Sequence, residues 1–278
     1  MQTRFVLLAA GDNLEVYQQA HGACLSLLAH APRDSEIVVF TTRPDRFHWL
    51  FAKVRVEEIL PGQLREWQGP RHYFYRAKFE VVRRAAALGP CHLVLLDADV
   101  LVTGSLEPLV AALERGACVM HAAEQALCAR KKTREALQAV FGRCFAEVPI
   151  DATTMVFNSG VIGIPQSRRD LVERALRCND ALLEAGVRYF AVEQVAWSAV
   201  LGAAGKLELA VPFVVHYWGN KRAFLKAVNQ LLADALVCGW SPGEAAAQLV
   251  RRPLCFPLRV KDRWWHPLVA RLLKLPRA

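Results

Sequence analysis

No two of the eight cysteines, at positions 24, 91, 118, 128, 144, 178, 238 and 255, form a Cys-x-x-Cys pair. That scatter fits neither a zinc ribbon nor a disulfide framework, and it reads as mostly buried free thiols in a reducing compartment. No apolar run is long enough to span a bilayer. The first apolar stretch, Phe5-Val6-Leu7-Leu8, meets Gly11-Asp12-Asn13 too soon for a signal peptide, so it reads as a first strand and the chain as cytoplasmic. No internal repeat or low-complexity linker appears, which leaves one principal domain and an appended tail. Charge is sparse as well: 22% of residues are charged against 54% hydrophobic, which excludes wholesale disorder and leaves material for a substantial core.

What charge there is lies unevenly. The net charge is +9, but residues 251–278 hold eight Lys/Arg and one acid, while the preceding 250 carry a net of only +2. A nearly neutral body with a basic end implies a local docking surface and argues against a nucleic-acid binder.

Strand-like runs near 4–9, 36–41, 92–96, 117–120, 156–164 and 211–217 alternate with helical patterns near 15–30, 72–88, 106–115, 130–141, 168–186 and 193–201. This βαβ rhythm predicts a Rossmann-like α/β domain over 1–250 with a mostly parallel sheet. Ligands on such sheets bind beyond the carboxyl ends of the strands. After about 205 a short strand ends at His216-Tyr217-Trp218. Helices follow near 223–237 and 242–251, the second opened by Ser241-Pro242 as N-cap and first-turn proline.

The residues that carry chemistry sit at the end of one buried strand. Leu93-Val94-Leu95-Leu96 leads into Asp97-Ala98-Asp99, and strand periodicity points both carboxylates the same way, toward one hard cation. A divalent ion held there keeps open positions for diphosphate oxygens. A phosphohydrolase using Asp97 as nucleophile is the rival. Such enzymes place the motif near the start of the domain and need a later acidic cluster, whereas three candidate elements precede it here and no convincing acidic pair follows.

With its flanks, the chain over about 5–224 resembles the family 8 retaining glycosyltransferases, the group of bacterial lipopolysaccharide galactosyl- and glucosyltransferases and glycogenin. Ala9-Ala10-Gly11-Asp12-Asn13 stands where that family contacts the nucleoside, before a helix with Tyr17 and Ser26. Tyr73-Phe74-Tyr75-Arg76-Ala77-Lys78 resembles its Tyr-x-Arg element, with Arg76 facing the donor. Phe157-Asn158-Ser159-Gly160-Val161 is similar to the loop whose Asn lies near the donor sugar, and Glu193-Gln194 to a pair whose Gln lies near the anomeric carbon. His216-x-x-Gly219 matches the third metal ligand and the diphosphate-loop glycine. Two departures stand out. Lys221 is one place early, with Arg222 in the family's lysine position, and Val195 replaces a second acid.

The resemblance implies a GT-A fold and a single-domain mixed sheet flanked by helices. It implies Mn2+ or Mg2+ on Asp97, Asp99 and His216, with Ala98 beside them, and a UDP-sugar donor whose diphosphate meets Lys221 or Arg222. Asn158 and Gln194 would hold the sugar, with Glu193 a candidate nucleophile, and a hexose would pass to a glycan or glycolipid in lipopolysaccharide biosynthesis. A non-catalytic sugar-nucleotide-binding relative is the third reading. In the tail, Trp264, Trp265, Leu268, Val269, Leu272, Leu273 and Leu275 share one half of a helical wheel opposite Arg263, Arg271, Lys274 and Arg277. That amphipathic helix suits peripheral contact with an anionic membrane or packing on the domain.

Overall fold

The computed structural model describes residues 1–251, so the tail helix and its membrane contact fall outside the described residues. The chain opens with β1 (Thr3–Ala9), α1 (Leu14–His30), β2 (Glu36–Thr41), β3 (Arg55–Glu58), α2 (Pro61–Trp67) and α3 (Ala77–Ala87). Next come β4 (His92–Leu96), β5 (Val100–Val102), α4 (Glu107–Glu114), β6 (Cys118–Ala126) and α5 (Lys131–Leu137). They are followed by β7 (Arg143–Phe145), β8 (Val148–Ile150), β9 (Met155–Ile164), α6 (Asp170–Glu184) and α7 (Val192–Ala203). β10 (Leu207–Leu209), β11 (Val214–His216), α8 (Lys221–Cys238) and α9 (Pro242–Arg251) complete the described part.

Seven strands form one sheet in the order β10-β6-β9-β4-β1-β2-β3. β4, β1, β2 and β3 are mutually parallel, as are β10 and β6, but β9 runs antiparallel to both its neighbours. The sheet is therefore mixed, and the direction of β9 is invisible in its apolar pattern. Its reversal matters, because it brings Phe157–Gly160 to the edge where the parallel strands end.

Alternation along β1 and β4 divides the core. Phe5, Leu7, Val94 and Leu96 pack in a layer with α1, α4 and α9, while Val6, Leu93 and Leu95 pack with α3, α6 and α7. Both faces are covered, which is why these strands read as continuous apolar runs. In the second layer Trp197 of α7 stacks on Phe79 of α3 with ring centroids 4.6 Å apart. Cys24 is buried in the first layer and Cys178 in the second, and burial pushes both thiols up to about 12, whereas Cys144 and Cys238 are exposed.

Local chemistry fixes the ends of the helices that frame the site. Asn13 caps α1, its Oδ1 accepting from the Glu15 amide at 3.0 Å, an arrangement of about 1 kcal/mol. Gly11 turns the chain out of β1 at φ 92°, where a side chain would be strained. α9 opens with a reciprocal capping box: the Ser241 amide donates to Glu244 Oε2 at 2.7 Å and the Glu244 amide to Ser241 Oγ at 3.3 Å.

Candidate metal centre

β4 ends at Leu96, so Asp97-Ala98-Asp99 forms a turn between β4 and β5 rather than a strand end. Strand periodicity therefore does not aim the two carboxylates. The turn is instead stitched to its neighbours: the Asp97 amide donates to Gly160 O of β9, and the Tyr217 amide donates to Asp99 O, both at 3.0 Å. β5 and β11 pair antiparallel with His216 opposite Val100, which delivers the imidazole beside Asp99.

His216 Nε2 lies 3.3 Å from Asp99 Oδ1 and 3.7 Å from Asp97 Oδ2. One ligand atom from each of the three residues falls within 4.8 Å of the others, the only such trio among the described residues. Adjacent oxygen donors around a small divalent ion stand about 3 Å apart, so a modest contraction closes the set.

The state of His216 is set from behind. Its Nδ1 stands 2.7 Å from Asn158 Oδ1, an oxygen that also accepts from the Gly160 amide and so acts as an acceptor. Nδ1 therefore carries a hydrogen, and Nε2 is the ring atom turned toward Asp97 and Asp99, the one that a metal bound between them would meet. The Asn158 amide nitrogen donates to Glu124 Oε1 at 3.2 Å. Asn158, expected beside the donor sugar, is thus engaged at both ends by His216 and Glu124. A Cβ built at Gly160 would overlap the His216 ring, so glycine is needed for the imidazole to lie on this backbone. We expect Asn158→Ala to weaken Mn2+ binding roughly 10- to 100-fold by titration calorimetry, the range for losing such a supporting partner. Unchanged affinity would mean that the asparagine does not orient the ring.

Two lysines supply positive charge around the trio. Lys78 Nζ lies 2.6 Å from Asp97 Oδ1 and 3.2 Å from Glu193 Oε1, with Lys78 and Glu193 both nearly inaccessible. Burial alone would depress the ammonium, but the Asp97 and Glu193 carboxylates outweigh it and hold it charged. Burial raises Glu193 despite Lys78. Glu193 is enclosed by this pairing, so it is no exposed nucleophile. On the other side, half-exposed Lys221 at the start of α8 places Nζ 2.8 Å from Asp99 Oδ2. Burial works against the Asp99 carboxylate, but bonds and charge from His216 and Lys221 hold it well below the usual range.

The remaining expected residues fall as follows. Arg76 is committed elsewhere: its guanidinium grips Asp180 through Nε at 2.8 Å and Nη2 at 2.9 Å, and also meets Glu80 and Trp67 O. Lys78, two residues on, enters the cluster in its place. Arg222 lines a separate surface cleft with Glu15, Leu225 and Lys226, so Lys221 is the residue at the centre. Gly219 sits in the turn closed by Asn220 N to Tyr217 O at 2.8 Å. Ala9 and Ala10 are buried at the end of β1, beside exposed Asp12 and the capping Asn13. Gln194 is half-buried in the first turn of α7. Ser26 ties α1 to β5, accepting from the Val102 amide at 3.0 Å.

Fold and site together define a GT-A-type α/β protein: a mixed seven-strand sheet, helices on both faces, and a candidate metal group at the ends of its strands. The fold is similar to that of mouse xyloside xylosyltransferase 1 in its apo crystal structure, with a TM-score of 0.50 over 75% of this chain and 85% of that one, at 13% identity. At that identity the likeness is one of fold. No family model and no curated protein matches the sequence.

Proposed function

We propose that this protein is a metal-dependent retaining glycosyltransferase, moving a hexose from a UDP-sugar to a glycan or glycolipid acceptor. The observation that carries the reading is the convergence of Asp97, Asp99 and His216 in a fold similar to that of a protein named as a xylosyltransferase. The residues fit a divalent cation: Asp97 Oδ2 and Asp99 Oδ1 face the inward-turned Nε2 of His216, while Lys78 and Lys221 hold the other oxygen of each carboxylate. Manganese is favoured by an imidazole joined to two carboxylates. When bound, it would neutralise the charge that grows on the departing diphosphate.

The chain's own residues divide the rest. Half-exposed Lys221 exchanges Asp99 for a diphosphate oxygen. Lys78 holds Asp97 in place from below and ties it to α7 through Glu193. Gln194, on the same first turn, faces the donor sugar. Ala9, Ala10, Asp12 and Asn13 line the nucleoside end, with Ala98 and Gly219 along the diphosphate. Because Glu193 is buried on Lys78, a front-face route suits these residues better than a covalent intermediate. The acceptor reading is a cell-surface glycolipid precursor met at the cytoplasmic face, with residues 251–278 on the membrane. Co-flotation of the full chain with anionic but not neutral liposomes tests that placement.

UDP release from a panel of UDP-hexoses, with and without Mn2+, tests the activity, and NMR of the product reads its anomeric configuration. Metal-dependent release with retention is expected; an inverted product would sink the mechanism. Hydrolysis of a simple phosphate ester without response to any nucleotide would favour the phosphohydrolase that uses Asp97.

A further inference from the structure

Beside the candidate centre stands a group of aromatic rings that the proposed chemistry does not use. Phe74 is 42% exposed, Tyr75 40% and Phe190 73%, although large apolar side chains next to a buried charge cluster would ordinarily be covered. They come from two separate segments, the turn before α3 and the residues before α7. Tyr73 clamps these segments together. Its hydroxyl donates to Phe190 O at 2.9 Å and accepts from the Glu193 amide at 3.1 Å. Tyr75 is edge-on to both Tyr73 and Phe74, with ring centroids 5.7 and 5.8 Å away, and Tyr189 leans on Phe190 at 4.9 Å. The turn that presents the first three rings begins at His72, a non-glycine residue at φ 49°. Strain of this kind persists only where the surroundings enforce it.

Position gives the cluster its meaning. The Tyr75 ring centroid lies 5.4 Å from Lys78 Nζ, and the same ammonium touches Asp97 and Glu193. Tyr75 therefore borders the centre where Lys78 reaches Glu193 of α7, with Phe74 edge-on to it and Phe190 tied to the same turn through its carbonyl. In the sheet, β1 and β2 lie on the other side of β4 from β9, and their C-terminal loops are joined by the Gly11 amide donating to Thr42 Oγ1 at 3.1 Å. A donor whose nucleoside lies over β1 and whose diphosphate lies at Asp97 and Asp99 would point its sugar toward these rings.

We infer that Phe74, Tyr75 and Phe190 form an acceptor subsite that takes a pyranose ring by stacking against its C–H face, an inference that rests on the transferase reading above. The chemistry matches a sugar. Flat π faces receive the apolar C–H face, while the rim carries hydrogen-bonding groups for the hydroxyls, including the Tyr75 phenol and exposed Arg71 and His72. A lipid chain would instead call for a continuous apolar floor, whereas exposed Arg71 and His72 directly precede these rings in the chain.

Saturation-transfer NMR with methyl glycosides of glucose, galactose and xylose, in the presence of UDP and diamagnetic Mg2+, reads the contact directly. Transfer to the C–H protons of at least one pyranose is expected for the wild type. Phe74→Ala and Phe190→Ala, exposed positions that touch none of the metal-binding residues, should each weaken that binding roughly three- to tenfold, the scale of one aromatic contact. Calorimetry of UDP with Mn2+ separates the two readings. Wild-type UDP binding with no saturation transfer to any pyranose, or transfer undiminished in both variants, overturns the subsite alone. Absence of UDP binding in the wild type overturns the transferase reading and the subsite with it. Variants that keep the sugar contact but lose flotation with anionic liposomes would make the rings a membrane surface instead.

Discussion

Asp99→Ala should reduce metal-dependent turnover at least about 100-fold, the lower end for removing one fixed electrostatic stabiliser of a developing charge. Asp99 is the hub of the centre: one oxygen lies 3.3 Å from His216 Nε2, the other 2.8 Å from Lys221 Nζ. Removing it takes away a ligand and releases Lys221 at the same time, so neither lysine nor imidazole can compensate. Asp99→Asn separates charge from shape. It keeps the oxygen near His216 but loses the negative charge, and it should fall close to the alanine variant if charge dominates. Turnover assayed over a Mn2+ series checks this, and activity in Asp99→Ala within a few fold of wild type would remove Asp99 from the chemistry. The fold should survive, because the turn is also held by backbone bonds to Gly160 and Tyr217.

Lys78→Met carries the second large effect, on stability. The ammonium is the cation between Asp97 and Glu193, at 2.6 and 3.2 Å, and is itself almost wholly buried. Its loss leaves two carboxylates facing one another in the interior. Breaking a buried pair from one side costs about 3–5 kcal/mol. In a domain of this size that lowers the melting temperature by about 10 °C. Two companion results make the assignment specific. Adding Glu193→Gln should recover a large part of the loss, because one stranded carboxylate is gone. Saturating Mn2+ should raise the melting temperature of Lys78→Met more than that of wild type, because a cation on Asp97 then replaces the missing charge. A thermal melt unchanged by Lys78→Met would show that the three charges are not coupled.

The strand that leads into the centre was legible because it is covered on both faces and therefore reads as an unbroken apolar run into Asp97. So was the start of α9, where Ser241 and Pro242 are chemical signals of a helix beginning. The direction of β9 was not legible: an apolar strand looks the same run either way, yet that direction decides that Asn158 and Gly160 meet His216. The short β3, β7, β8 and β10 also went unread, since each is three or four residues long and carries little periodicity. Lys78 was hidden by its residue type, because a lysine on a helix ordinarily faces solvent. The signal was present all the same, for Lys78, Val81, Val82 and Ala85 lie one helical turn apart on the buried stripe of α3. A lysine at the head of such a stripe announces a buried charge with partners. Arg76, the more conspicuous cation, is spent on Asp180, a pairing across 104 residues that no local pattern reports.

The measurement closest to the central claim is titration calorimetry of UDP against the purified full chain, with Mn2+ present and absent, for wild type and Asp99→Ala. UDP should bind the wild type only when Mn2+ is present, and Asp99→Ala should lose that binding. UDP that binds equally well without metal, or equally well to Asp99→Ala, would contradict a metal centre built on Asp97, Asp99 and His216.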